Sequence, residues 1–277
     1  MALLLDQIAN FFYFSIPFYA TFAKLLAILF ITIFFSSIGS FLNVCIYRIP
    51  LGLSIIKPGS YCPKCQTPIK AWHNIPIISY FLLRGKCHYC HKSFSFRYCF
   101  VELITALLAV LYFIKNAYII DLQFLKFTFF MSFGIMIFFI DIDHKLILDK
   151  HNYTLLVAGL IFSIMGTMSL MSAILGSVVG FSIFYSIAFL YLISQKKAGL
   201  GGGDIKYIAA AGMFTGVPGV IFIILFSSVF ALLCNFINIK RNKELAFAPY
   251  LVAASLLYFF LGDSLINWYL GLINNLI

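Results

Sequence analysis

Charged residues are scarce in this chain. Asp, Glu, Lys and Arg together make up 10% of its 277 residues, and only nine residues are acidic. In soluble globular domains roughly a quarter of all residues are charged, so this composition excludes a soluble globular protein of this size. Hydrophobic residues make up 63% of the chain, and the mean hydropathy is +1.03. The composition therefore predicts a polytopic membrane protein.

Acidic residues are outnumbered by basic ones, which gives a formal net charge of +10. Nucleic-acid binding needs a basic face on a soluble domain, so no nucleic-acid partner is expected. Of the 19 basic residues, 16 fall in the stretches 48–97, 145–150, 196–206 and 240–243. Cytoplasmic loops of membrane proteins carry an excess of Lys and Arg, so these stretches are predicted to be cytoplasmic. The first residues lack a basic segment and a cleavage site, and no cleavable signal peptide is expected.

Long apolar runs predict an all-α fold of about eight transmembrane helices, with both termini outside. Residues 1–19 are expected to be interfacial or a lead-in to the first helix. Six helices are predicted at about 20–46, 98–114, 120–140, 152–167, 170–194 and 205–214. After a turn at 216–219, a seventh helix runs to about residue 239, and an eighth is predicted at about 246–261. The chain is thus divided into the lead-in with the first helix (1–47), a small cytoplasmic domain (48–97) and a membrane domain (98–277).

Two CxxC pairs lie in the small domain, and they comprise Cys62, Cys65, Cys87 and Cys90. A domain of about 50 residues is too short to build a large core, so it needs an additional constraint. Two such pairs supply four thiolates, which suit tetrahedral zinc. Two disulfides are the less expected outcome in a reducing cytoplasm. Because four protein ligands leave no open position for water, the expected zinc is structural.

Four of the nine acidic residues lie at predicted membrane boundaries. Asp141, Asp143 and Asp149 follow the third predicted helix, and Asp204 follows a run of glycines at 201–203. Glycine can take positive φ and lets another backbone come very close. The simplest interpretation is a charged loop together with a hinge whose aspartate caps a helix.

Topology favours a more specific interpretation, because Asp141 and Asp204 are both expected at the cytoplasmic boundary. Two carboxylates that face each other at low dielectric cannot easily both ionise and titrate as a coupled pair. Such a pair can take a proton from water while it protonates a scissile carbonyl, as in aspartyl proteases. Asp143 is a competitor for the position of Asp141. Ion or proton transport is a second use of membrane carboxylates, and a zinc-containing membrane adaptor is a third.

Several short motifs follow one another along almost the whole chain. They are Gly39-Ser40-Phe41-Leu42-Asn43-Val44 with Tyr47-Arg48-Ile49-Pro50, the two CxxC pairs, Trp72-His73-Asn74-Ile75-Pro76, Ser79-Tyr80, Leu83-Arg84-Gly85, Arg97-Tyr98, Glu102, Asp141 with Asp149 eight residues later, and Gly201-Gly202-Gly203-Asp204 with Lys206. Together and in this order they resemble the prepilin peptidases, or type IV leader peptidases, which are GxGD-type membrane aspartyl proteases. Leu148 stands where the family usually has Pro, and Ala248 where Gly is expected.

The resemblance implies cleavage of the basic leader of type IV prepilins or type II secretion pseudopilins, at the cytoplasmic face of the bacterial inner membrane. It implies Asp141 and Asp204 as the catalytic pair. The implied supporting residues are Asp143, Asp149, Gly201, Gly203 and Lys206. Members with the cysteine domain are also expected to N-methylate the new N-terminus with S-adenosylmethionine. Candidate residues for that second site are Asn43, Arg48, Asn74, Arg84, Arg97 and Glu102.

Overall fold

A computed structural model describes residues 2–196, 199–237 and 246–274 of the chain. Within these ranges the regular structure is helical, apart from two isolated β-bridges. The helices are α1 (Ala2–Arg48), α2 (Ile78–Leu82), α3 (Arg97–Lys115), α4 (Leu122–His144), α5 (Asp149–Ile164), α6 (Leu170–Gln195), α7 (Gly202–Ile237) and α8 (Ala248–Asn274), with a short 3₁₀ turn at Ala71–His73. The predicted all-α class is confirmed. The basic stretch 240–243 and Lys197 lie outside the described residues.

Five helices of the described part are long and apolar enough to cross a membrane. They are Thr21–Arg48 within α1, then α3, α4, α6 and Gly202–Cys234 within α7. A shorter apolar helix, Ala248–Gly262, begins α8. These helices confirm a polytopic membrane protein. The eight predicted segments correspond to seven long helices, because two of the segments are the halves of α7.

A kink divides α7 at Gly216, where φ is 68° and ψ is −175°. Glycine tolerates this positive φ. Pro218 follows two residues later, and it cannot donate a helical hydrogen bond to the preceding turn. The break predicted at 216–219 is therefore confirmed, and the two helical halves of α7 are joined across a kink at Gly216.

Residue contacts divide the chain into two compact units. The first unit comprises residues 1–40 and 60–120, and the second comprises residues 41–59 and 121–277. The cysteine pairs belong to the first unit. Both Asp141 and Asp204 belong to the second, so their geometry is defined within a single unit.

Close helix packing positions the start of α7 within the second unit. A Cβ on Gly176 of α6 would lie 2.4 Å from the carbonyl oxygen of Gly212 in α7, so the two backbones are in contact. Small residues permit this approach between membrane helices. On α4, Phe130 packs its ring 4.9 Å from the ring of Phe214 and 6.4 Å from that of Tyr207, and all three are fully buried. The first turns of α7 are thus anchored in a dense core.

Candidate active site and cysteine centre

Asp141 and Asp204 come together from opposite ends of two helices. Asp141 lies in the last turn of α4, and Asp204 lies in the first turn of α7. The carboxylate of Asp141 is close enough to act electrostatically on that of Asp204. Asp141 is only 6% exposed, and Asp204 is half-buried. The structure therefore brings the two predicted carboxylates into one pair.

Main-chain N–H groups hold each carboxylate of the pair. The N–H of Ala248 donates to Asp141, and the N–H of Gly201 donates to Asp204. Ala248 is itself buried, so its methyl group is accommodated where the family is expected to have glycine. In the described part of the chain, the buried Oδ2 atom of Asp141 has no hydrogen-bond partner. A buried acceptor without a donor is costly, and a shared proton or a bound water would supply the donor.

Asp143 does not share the environment of Asp141. It lies two residues further along α4 and is exposed. Two residues correspond to a rotation of roughly 200° around a helix axis, so Asp143 projects from the opposite side of α4. Asp141, and not Asp143, is the carboxylate that acts electrostatically on Asp204.

The glycines before Asp204 act through close approach rather than through positive φ. None of Gly201, Gly202 and Gly203 has a positive φ. A Cβ on Gly203 would lie 2.8 Å from the Cβ of Ile147, and a Cβ on Gly201 would lie 2.9 Å from Oδ2 of Asp204. A Cβ on Gly202 would meet nothing within 4 Å. Among the described residues, the contact with Ile147 thus requires glycine at position 203, the contact with the Asp204 side chain disfavours a Cβ at position 201, and position 202 is free to change.

Two side chains from the first turn of α5 hold the start of α7. The Nζ of Lys206 donates to both carboxylate oxygens of Asp149, at 2.7 and 2.8 Å. The Nδ2 of Asn152 donates to the carbonyl oxygen of Gly203 at 3.1 Å. The predicted supporting residues Asp149 and Lys206 are therefore in direct contact. Asn152 was not predicted, because a single Asn in an apolar helix carries no motif; its spacing of three residues from Asp149 is the only signal.

Leu148 keeps the backbone conformation that the family's proline would impose. It precedes the first residue of α5 with φ −71° and ψ 128°. Proline fixes φ near −65° and is common at the starts of helices. Although Leu148 replaces the proline of the family pattern, its backbone conformation in the loop between Asp141 and Asp149 is therefore one that proline could also adopt.

The four paired cysteines form a compact cluster. Their sulfur atoms all lie within 4.8 Å of one another, and the closest cross pairs, Cys62 with Cys90 and Cys65 with Cys87, are 3.9 Å apart. A disulfide requires about 2.05 Å, so these cysteines are free thiols. Zinc with Zn–S bonds of about 2.3 Å needs tetrahedral sulfur separations of about 3.8 Å. The cluster therefore fits a four-cysteine structural zinc site.

The two cysteine turns have the same backbone hydrogen bonding, 25 residues apart. In the first turn the N–H of Cys62 donates to the carbonyl of Thr67, and in the second the N–H of Cys87 donates to that of Lys92. Hydrogen bonds from the side chain and N–H of Thr67 lower the pKa of Cys65 to about 6. The thiolate is the form that ligates metal, so the first turn is suited to bind a cation at neutral pH.

Arg48 has a structural set of partners. It is buried, and its guanidinium donates to the main-chain carbonyls of Ser54, Pro58 and Gly59 at 2.8–3.1 Å. It therefore shapes the loop that follows α1.

Glu102 also has polar partners inside its own unit. Its carboxylate accepts the N–H of Ile77 at 2.7 Å and a hydrogen bond from the side chain of Ser40. These contacts supply the partner expected for a carboxylate near the start of a membrane helix.

The remaining candidates for a methylation site differ in exposure. Asn74 and Arg84 are exposed, Arg97 is half-buried and Asn43 is buried. Asn43 and Arg48 belong to the second unit and the other four candidates to the first. The structure therefore does not group all six within one unit.

Comparisons with known proteins agree with this arrangement. The bacterial peptidase A24 N-terminal domain matches residues 33–116, and the type IV leader peptidase family matches residues 128–236. No solved structure gives a match. The chain is 35% identical to a prepilin leader peptidase/N-methyltransferase of Neisseria gonorrhoeae, with 84% of this chain and 91% of the relative covered.

Proteins with the same name in two other bacteria are also similar. The one in Legionella pneumophila is 32% identical, with 86% of this chain and 93% of the relative covered. The one in Aeromonas hydrophila is 33% identical, with coverages of 84% and 90%. These matches do not favour the alternatives of an ion transporter or an adaptor. They extend across both the cysteine region and the helices that carry the two aspartates, and the chain belongs to the type IV leader peptidase family.

Proposed function

We propose that this protein is a membrane aspartyl endopeptidase that removes the leader peptide of type IV prepilins or type II secretion pseudopilins. The pairing of Asp141 with Asp204 at the ends of two membrane helices carries this proposal. Both carboxylates have main-chain donors, and among the described residues one buried oxygen of the pair lacks a donor of its own. Such an environment suits two carboxylates that share one proton.

The chemistry follows from that shared proton. The charged carboxylate takes a proton from a water molecule held between the two groups, and the water oxygen bonds to the scissile carbonyl carbon. The protonated carboxyl donates its proton to the carbonyl oxygen, which gives a neutral tetrahedral intermediate. When the C–N bond breaks, the leaving nitrogen receives the proton that was taken from water. One hydroxyl of the intermediate returns its proton to the other carboxylate, which forms the new carboxyl group and restores the singly protonated pair.

An extended substrate has access at the glycine loop. Gly201 and Gly202 are exposed next to Asp204, and neither carries a side chain that would keep a peptide backbone at a distance. The scissile bond therefore approaches the pair from the side of this loop.

The active site is proposed to face the cytoplasm from the bacterial inner membrane. Between residues 48 and 97 the sequence has eight basic residues and no acidic one, as the positive-inside rule expects for a cytoplasmic segment. Lys145 and Lys206 lie close in sequence to the two aspartates, which supports the same side for the active site.

The cysteine cluster is proposed to hold one structural zinc ion through Cys62, Cys65, Cys87 and Cys90. A second activity, N-methylation of the new N-terminus with S-adenosylmethionine, is proposed because the relatives carry N-methyltransferase in their names. The exposed side chains of Asn74 and Arg84 are the accessible candidates for that site, and Glu102, which belongs to the same unit, is proposed to support it structurally.

Purified protein incubated with a prepilin and S-adenosylmethionine, followed by mass analysis of the product N-terminus, tests both activities. Cleavage is expected with the unchanged protein and is expected to be lost in Asp141→Asn and in Asp204→Asn. Asp143→Asn is expected to retain cleavage, because Asp143 is exposed and lies on another side of α4. Full processing by either Asp141→Asn or Asp204→Asn would refute the catalytic pair, and a product without an added methyl group would remove the second activity.

A further inference from the structure

Asn152 is a buried polar side chain in direct contact with the loop that carries Asp204. It lies in the first turn of α5, is 1% exposed, and donates from Nδ2 to the carbonyl oxygen of Gly203 at 3.1 Å. That carbonyl belongs to the peptide bond whose nitrogen is the backbone nitrogen of Asp204. The hydrogen bond therefore fixes the orientation of the peptide plane from which the Asp204 side chain projects.

Among the described residues, a single hydrogen bond determines the orientation of the Asn152 amide. Its Oδ1 atom is buried and has no hydrogen-bond partner in the described part of the chain. Rotation of the amide by 180° would place Oδ1 against the Gly203 oxygen, where two acceptors would meet. The donor function of Nδ2 thus keeps this side chain in place.

A second contact reinforces the first on the same pair of helix starts. Lys206 pairs with Asp149. Lys206 lies three residues after Gly203 on α7, and Asp149 lies three residues before Asn152 on α5. Residues three apart are neighbours on one helix face, so the two contacts lie side by side and flank Asp204. The side chains of the ion pair are 37% and 54% exposed and are screened by water, whereas the amide–carbonyl bond is part-buried and its donor residue Asn152 is 1% exposed. Of the two contacts, the amide–carbonyl bond is therefore the less screened restraint on the loop.

We propose that Asn152 is a positioning residue that holds the Gly203–Asp204 peptide bond and thereby aims the Asp204 carboxylate at Asp141. The role rests on the proposed peptidase function. Loss of the donor lets the first turn of α7 reorient, and the two carboxylates no longer hold a water molecule in the geometry that the reaction needs.

Asn152→Asp distinguishes a role in hydrogen-bond donation from a role in packing alone. Asp has nearly the same shape as Asn, but only its protonated form can donate to the Gly203 oxygen, and its ionised form repels that oxygen. At neutral pH, kcat for prepilin cleavage is expected to fall about tenfold or more, with KM within about twofold. Relative to the unchanged protein at each pH, kcat is expected to recover as the pH is lowered.

Asn116→Asp is the matched control. Asn116 also donates from Nδ2 to a main-chain carbonyl, that of Ile119 at 2.9 Å, but on an exposed segment after α3 in the other unit. This variant is expected to keep the pH profile of the unchanged protein. An Asn152→Asp profile that runs parallel to the profiles of the unchanged protein and of Asn116→Asp would overturn the proposal.

Asn152→Leu adds a measurement that does not depend on activity. It removes the donor at every pH, so a low kcat without acid recovery is expected. Hydrogen–deuterium exchange over residues 199–207 is expected to accelerate in Asn152→Leu and to stay unchanged in Asn116→Leu. Unchanged exchange in folded Asn152→Leu would overturn the positioning role. If exchange accelerates while the unchanged protein cleaves no prepilin, the proposed substrate fails and the positioning of the loop stands.

Discussion

Alanine at each of the three glycines before Asp204 is expected to have a different effect on cleavage. At Gly203 the added Cβ would lie 2.8 Å from Cβ of Ile147, whereas apolar carbons rest about 3.5–4.0 Å apart. The gap must therefore open by roughly 0.7–1.2 Å. Because the opposing atom is a Cβ, no rotation of the Ile147 side chain relieves the contact, and Ile147 is itself packed in the core. The first turn of α7 has to move instead.

Displacement of a catalytic group by about 1 Å can reduce the rate by about 100-fold. Gly203→Ala is thus expected to lower kcat/KM by about two orders of magnitude, equivalent to about 2.7 kcal/mol of transition-state stabilisation. At Gly201 the atoms of the described residues that an added Cβ would meet belong to the Asp204 carboxyl group, with Oδ2 at 2.9 Å and Cγ at 3.8 Å. That carboxylate can rotate away at a smaller cost, and a loss of roughly tenfold is expected.

Gly202→Ala is the matched control, because its Cβ meets nothing within 4 Å. Position 202 lies in α7, where Ala is favoured over Gly by up to about 1 kcal/mol, so kcat/KM is expected within about twofold and stability is expected to rise. Initial cleavage rates with a prepilin, measured beside thermal unfolding, give the comparison. Equal losses at positions 202 and 203 would refute the contact argument and indicate that the glycines act through flexibility.

Three further predictions follow from the contacts described. Lys206→Met and Asp149→Asn are each expected to lower kcat/KM by about two- to fivefold, since a partly exposed ion pair contributes about 0.2–1 kcal/mol. The double variant is expected to lose no more activity than either single variant, and additive losses would contradict a shared contact. Leu148→Pro is expected to retain cleavage and to raise the free energy of unfolding by about 0.4–1 kcal/mol, because φ is already −71°; a lower unfolding temperature would contradict this. Cys62→Ser is expected to lose the bound zinc ion in elemental analysis while Cys234→Ser, outside the cluster, keeps it, and retention of zinc by Cys62→Ser would exclude the proposed ligand set.

Features that depend on local chemistry were predictable from the sequence. Charge asymmetry and hydropathy placed Asp141 and Asp204 at one membrane boundary, and the structure brings them together. The CxxC spacing likewise predicted the cluster, because each turn supplies two thiols by itself. The positions of these residues along the chain were sufficient to predict both the aspartate pair and the cysteine cluster, since each feature depends on where a helix or turn begins or ends.

Features that depend on distant packing were not predictable. The glycines suggested positive φ, but the contact that requires glycine at 203 comes from Ile147, which lies far away in the sequence. Asn152 carries no motif, and its importance becomes visible only when α5 and α7 are placed side by side.

The contact between Gly176 and Gly212 also limits how this sequence can change. A clash caused by a larger side chain is usually relieved when its neighbour becomes smaller, but neither of these residues has a side chain left to remove. A Cβ at either position would meet the backbone of the other helix at 2.4 Å. No substitution of one glycine can therefore compensate for a larger residue at the other position. Divergent sequences that keep the α6–α7 packing have to retain glycine at both positions.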